Sequence, residues 1–350
     1  MRMLVVGHGA GHPASSLRNQ LVDSLRFLGH EVVQAKATGD PAVDRDRVAA
    51  ALERYAPDLL INVPCATSLD AGTIRELTST TDTVAVCLHR GPGCTAAPTD
   101  LASLSEDLVH YDLVTVPDRA TFEAHTAEGT FRLSLLQPAV HVPGLDGVVA
   151  AERRGVVLVG DADPENVDIV SALDGLDDVV VMGRGWDDLP LTIDIVSAED
   201  QDERGTALAA AQLVAELPAS LAHQSSIRRH WSELGVSDVV LEAAAVGTPA
   251  VVLDRPAVLE MFEPTVDVLT CEAPRDLTSL VPLLLSSPDD LALIGDAAWQ
   301  TVTSRHTWVQ RWDSLLAPWI DPHEIDEGED VRRVLAADER AVDPMTAESR

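Results

Sequence analysis

The sequence predicts an α/β protein built from two parallel-sheet domains, and three observations carry that reading. Short, continuously apolar runs alternate with helix-like runs from the first residue onward, as "MLVVG" gives way to "SLRNQLVDSLRFLG" and then to "HEVVQA". The alternation breaks once, at 135–155 ("LLQPAVHVPGLDGVVAAERRG"), where prolines and glycines interrupt it, and it restarts with "GVVLVGD". The chain has 350 residues, 46% of them hydrophobic, which is enough for two separate cores.

Each further unit repeats the pattern. "RVAAALERYA" leads into "DLLINV", "AGTIRELTST" into "TVAVCLH" and "SLSEDLVHY" into "DLVTVP". Continuous apolarity suits parallel strands covered on both faces. The boundary is placed near residue 150, dividing a domain at 1–150 from one at 151–320. The second domain reads "ENVDIVSALDGL", "DVVVMGRGW", "LTIDIVS", "GTALAAAQLVAEL", "SDVVLEAAAVGTPAVVLD" and "DVLTC", then helices over 276–320 with Pro288 opening one of them. From 321 to 350 the composition turns acidic, as expected for a flexible tail.

Charge narrows the function. Acidic residues number 57 against 25 basic ones, for a net charge of -32, and every basic residue except Lys36 is Arg. This excess argues against nucleic acid as a partner, because counterion release needs a basic stripe. The acid-rich, lysine-poor composition resembles that of haloarchaeal cytosolic proteins, whose salt screens self-repulsion. Cys65, Cys87, Cys94 and Cys271 show no CxxC spacing, so neither a zinc site nor a disulfide frame is expected. The N-terminus runs straight into a strand, with no secretory leader and no apolar stretch of spanning length, so a cytoplasmic, soluble protein is expected.

The chemistry concentrates in "GVSDVVLEAAAVGTPAVVLD", residues 235–254. Ser237 suits an N-cap, Asp238 the positive end of the helix, Gly247 a left-handed C′ position, and Pro249 prevents continuation. Between them Glu242 is the lone carboxylate in an apolar helix, and a buried carboxylate needs a partner. A ribose diol supplies two donors; an arginine pairing at the rim of the sheet is the plainer alternative. The turn at 234–237 leaves the amides of Gly235, Val236 and Ser237 for a diphosphate, which Arg228 and Arg229, next to His230, would also hold.

"LEAAAVGTPAVV" resembles the E-A-x-A-x-G-x-P-V segment of nucleotide-sugar glycosyltransferases of the GT-B fold. "HTWVQRWDSLL", at 306–316, is similar to the ending of their CgeB-like, spore-maturation branch, and "MRMLVVG", "YAPDLLINV" and "VVLVGD" look like other parts of the family's pattern. The resemblance implies two Rossmann-like domains facing across a cleft, an N-terminal acceptor domain and a C-terminal donor domain. It implies that Glu242 holds the donor ribose and that the amides of 235–237 face the diphosphate. A glutamate that the family often carries eight positions earlier is replaced here by Leu234. The activity implied is hexosyl transfer from a nucleoside diphosphate sugar to a glycan, lipid or protein-linked acceptor in surface-glycan synthesis, with peripheral membrane association and no cofactor or obligatory metal. A nucleotide-sugar epimerase and a non-catalytic sugar-nucleotide binder are the alternatives.

Other candidates lie elsewhere. Gly7, Gly9 and Gly11 form a glycine-rich loop between strand and helix, where such sheets bind ligands. His89 ends "TVAVCLH" and matches in position a histidine that related transferases place near the sugar, making it the candidate acid/base or sugar-orienting residue; a solvated loop histidine is the alternative. Trp186, in "GRGW", is a candidate donor contact. "DAD" at 161–163 imitates a metal-binding DxD, which chance also supplies in a chain this acidic.

Overall fold

The computed structural model describes residues 1–8, 15–63, 69–89, 107–127, 132–142, 152–187, 189–196, 201–218 and 235–320. Two six-stranded sheets account for the two halves of the alternation. The first contains β1 (Arg2–His8), β2 (Glu31–Ala37), β3 (Leu59–Asn62), β4 (Val84–Leu88), β5 (Leu113–Val116) and β6 (Leu133–Leu135), in the order β2-β1-β3-β4-β5-β6. The second contains β7 (Val156–Val159), β8 (Val179–Met182), β9 (Asp194–Val196), β10 (Leu213–Glu216), β11 (Ala250–Leu253) and β12 (Leu269–Cys271), in the order β12-β11-β10-β7-β8-β9. Every strand pairing is parallel.

Both orders reverse once, between β1 and β3 and between β7 and β10, which are the points where doubly wound sheets bind ligands beyond their carboxyl ends. Parallel sheets need helices on both faces. In the first domain one face, with Leu4, Val6, Leu60, Ala85 and Cys87, is covered by α2 (Pro41–Tyr55) and α3 (Ala71–Thr78). The helices start where the sequence stops the strand pattern: Asp40 and Asp70 accept hydrogen bonds from the amides of their first turns, and Pro41 fixes the first helical φ of α2.

The other face, with Met3, Val5, Leu59, Ile61, Val86 and Leu88, is covered by α1 (Ser15–Phe27) and by Trp308, Trp312 and Leu316. Those three residues lie on the terminal helix, Trp308–Ile320, which the sequence pattern assigns to the second domain. The helix instead crosses back onto the first sheet, because its indoles fill that core and Trp312 Nε1 donates to Ser24 Oγ at 2.8 Å. The expected boundary near 150 falls within 143–151, outside the described residues, as does the tail from 321. No single helix among the described residues is long and apolar enough to cross a membrane.

The domains touch at the carboxyl ends of both sheets. Arg119, just beyond β5, and Gln137, after β6, both donate to Glu260 Oε2, at 3.3 and 3.1 Å, on the short helix that follows β11.

Candidate functional site

The helix at Asp238–Ala245 forms where the sequence places it, with Ser237 at the N-cap (φ -77°, ψ 149°) and Gly247 in the left-handed region at φ +71°. Val240, Leu241, Ala243, Ala244 and Ala245 are buried in the second domain's core against Ala298 and Val302. The helix's far end is capped by Arg153, whose guanidinium donates to Val246 O at 2.6 Å, to Gly247 O and to Thr248 Oγ1. Ser237 departs from expectation: its side chain makes no capping bond, and its Oγ is buried without a partner among the described residues. Asp238 occupies the first turn and already answers the helix's positive end.

Glu242 is 2% exposed and faces the first domain. Its Oε1 accepts from Arg204 Nη2 at 2.7 Å and from Gln20 Nε2 at 2.7 Å. Its Oε2 is buried with no hydrogen-bond partner among the described residues. Gln20 lies on α1, across the domain contact, and its Oε1 accepts from the backbone amide of His141, in the segment that leads out of the first domain. Burial holds the Glu242 carboxyl above its ordinary range, outweighing the pull of Arg204 and Gln20 in the other direction. An ion pair forms with Arg204, in the domain contact; the arginines of the sequence expectation, Arg228 and Arg229, lie outside the described residues. One carboxylate oxygen remains for a further donor.

Arg204 and Gln20 are functional candidates that the sequence reading missed. The signal was present: Arg204 shares a helix face with Leu208, four residues on, and Gln20 with Ser24, so each is a polar residue on a buried stripe. Arg228, Arg229, Gly9, Gly11 and Leu234 lie outside the described residues. Gly7 is buried within β1, at the reversal point of the first sheet, and Gly235 and Val236 are buried at the entry to the Glu242 helix.

Trp186 is not a cleft residue. It is fully buried, and its indole Nε1 donates to Gly160 O at 2.8 Å, underneath the end of β7. The tight approach of Gly183 to Gly160, where a Cβ would overlap the Gly160 carbonyl, lets the "GRGW" turn fold the indole inward. The "DAD" acids are likewise structural: Asp163 accepts from Asn166 N at 3.0 Å as an N-cap, and Asp161 pairs with Arg184.

His89 stands at the carboxyl end of β4, as expected, but it is 2% exposed, which removes the solvated-loop alternative. Its Nε2 lies 2.8 Å from Asp107 Oδ2 and 3.4 Å from Cys87 Sγ. Burial pushes the Cys87 thiol well up, with Asp107 adding to the effect. Close by, the Tyr111 hydroxyl accepts from Asn62 Nδ2 at 2.6 Å, while Asn62 Oδ1 is buried with no partner among the described residues.

Comparison with known proteins places this architecture. The chain superposes on the structure of Anabaena Alr3699/HepE in complex with UDP-glucose with a TM-score of 0.60 at 14% identity, covering 91% of this chain and 99% of that one. Sucrose-phosphate synthase from Thermosynechococcus elongatus gives 0.64 at 13% identity, over 91% of this chain and 98% of that one. The chain has the GT-B fold. A glycosyltransferase from Rickettsia africae matches similarly, with a TM-score of 0.61 at 11% identity over 93% and 99% of the two chains. Residues 165–317 match the family described as glycosyl transferase-like. A search of curated protein sequences found no match. On the GT-B frame, Glu242 and the 235–237 turn belong to the second domain, within the span of the family match.

Proposed function

We propose that this protein is a glycosyltransferase that moves a hexose from a nucleoside diphosphate sugar to an acceptor held by the first domain. The observation that carries the reading is Glu242: a buried carboxylate at the domain contact, one oxygen held by Arg204 and Gln20 and the other without a partner among the described residues, inside a segment that matches a glycosyl transferase-like family. The free oxygen suits a ribose hydroxyl. The Ser237 hydroxyl and the first-turn amides of the same helix, with Arg228 and Arg229, would meet the diphosphate and stabilise it as it leaves. On this reading transfer needs no obligatory metal. The acceptor is a glycan, lipid or protein-linked sugar of a surface polymer, assembled in a salt-loaded, haloarchaeal type of cytoplasm with peripheral membrane contact, and the chain falls in the CgeB-like branch.

A non-catalytic sugar-nucleotide binder is the second reading, favoured by the occupation of Glu242 Oε1 from both sides. Calorimetry in multimolar KCl with UDP, GDP and ADP, followed by a search for sugar release from the matching donor, separates the two. Saturable binding of one diphosphate, weakened by about 1–3 kcal/mol in Glu242→Gln, supports the donor site, and turnover supports transfer. A folded chain that binds none of the three would overturn both readings.

A further inference from the structure

Cys87, His89 and Asp107 bring a sulfur, an imidazole nitrogen and a carboxylate oxygen within 4.8 Å of one another in the first domain. We propose that these three side chains bind a divalent zinc ion, outside the donor site and independent of the transfer reaction.

The fold builds the cluster from two places. Cys87 and His89 are two positions apart across the end of β4, so a strand's alternation turns both toward the face covered by α2 and α3. Asp107 lies in the helical stretch described at 107–110, and Tyr111, just beyond it, is buried in the same core cluster. Cys87 and His89 are almost wholly buried, and the Asp107 side chain is 18% exposed. Among the described residues no arginine or lysine pairs with Asp107, and the polar side-chain partner given for its carboxylate is the His89 imidazole.

The spacing suits zinc. Tetrahedral bonds of about 2.3 Å to sulfur and about 2.0–2.1 Å to nitrogen and oxygen set the S···N separation near 3.6 Å and the N···O separation near 3.4 Å. The Cys87–His89 distance of 3.4 Å is already close to that, and the His89–Asp107 distance of 2.8 Å needs to open by about half an ångström. A mixed thiolate, imidazole and carboxylate set selects zinc over magnesium or calcium, and three protein ligands leave a fourth position for water. On binding, the Cys87 thiol gives its proton to solvent, and the imidazole carries its remaining proton on Nδ1 so that Nε2 presents a lone pair. The ion's charge reverses the effect of burial on the thiol. The Tyr111–Asn62 pair stands behind the site as its polar neighbour. With Nε2 on the metal, His89 is not the acid/base of the transfer reaction.

The test uses the full-length, tag-free chain dialysed against micromolar zinc in buffered KCl, followed by metal analysis, with cobalt as a spectroscopic stand-in. The expected result is one zinc per chain in wild type and in Cys271→Ser, at least tenfold weaker uptake in Cys87→Ser and in Asp107→Asn, and a thiolate-to-cobalt absorption band that Cys87→Ser abolishes. Circular dichroism establishes that each variant is folded. A folded wild type that takes up no stoichiometric zinc, or uptake unchanged in Cys87→Ser, overturns the site. Loss of sugar transfer in Asp107→Asn without zinc uptake by the wild type would return the His89–Asp107 pair to acid–base work, an outcome that leaves the transferase reading standing.

Discussion

Gln20 and Glu242, 222 positions apart in the chain, meet at 2.7 Å, and the same Glu242 oxygen also takes the guanidinium of Arg204. One carboxylate thus joins the first helix of one domain to two helices of the other.

Removing Arg204 isolates that carboxylate in a buried place. Arg204→Ala is expected to destabilise the fold by about 3–5 kcal/mol, because an uncompensated charge is left behind. Pairing it with Glu242→Gln removes the charge and is expected to restore much of the loss. Urea unfolding of the two single variants and the double variant measures the coupling directly. Strictly additive effects would mean that the two residues are not coupled.

The helix Pro288–Arg305 leans on the Glu242 helix through an approach only glycine allows. A Cβ at Gly295, in the helix Pro288–Arg305, would overlap the carbonyl oxygen of Gly247, a backbone atom that the Arg153 cap also holds. Gly295→Ala is therefore expected to lower stability by about 1–3 kcal/mol. Gly175→Ala, where a new Cβ meets nothing within 4 Å, serves as the near-neutral control. Equal melting temperatures for the two variants would contradict the tight contact.

Much of this was legible in the sequence. Continuous apolarity located the strands, Pro288 opens the helix it was expected to open, and the Glu242 helix was bounded by Ser237 and Gly247 as expected. Local pattern could not reveal where the last helix goes, since Trp308 and Trp312 look equally suited to either core and only tertiary packing sends them to the first sheet. It also could not join Asp107 to His89, because the end of a strand and a helical residue 18 positions on meet there through topology and not through spacing. Trp186 misled for a related reason: a loop position beside the ligand-binding edge says nothing about whether the ring turns in or out.

His306 carries a pH dependence of its own. Burial, with Arg311 next to it, lowers its pKa to about 4. Arg311 Nη2 donates to Nδ1 at 2.9 Å and Nε2–H donates to Met261 O at 3.0 Å, a pattern that requires the neutral ring. The unfolded imidazole titrates near 6.5, so between that value and about 4 the unfolded chain binds the extra proton. The contribution is complete above the unfolded pKa and is lost as pH falls toward the folded one, to a total of roughly 3 kcal/mol. Unfolding free energies at pH 7 and pH 4.5 are expected to differ less in His306→Gln than in wild type; an identical difference would exclude His306 as the source.

Salt is expected to govern whether the fold stands at all. A net charge of -32 repels itself in dilute buffer, and the ion pairs Arg45–Glu76 and Arg154–Glu152 lie too exposed to offset it. Raising KCl toward about 1 M shortens the Debye length to about 3 Å and screens that repulsion, so the thermal midpoint is expected to climb with KCl. Screening is separated from a general salting effect by reducing the charge itself. Asp46→Asn, Glu53→Gln and Glu123→Gln together remove three exposed acids, none of which has a salt bridge among the described residues. The triple variant is expected to reach a given midpoint at lower KCl than wild type. Superimposable salt curves for the two proteins would show that repulsion between surface acids is not what the salt relieves.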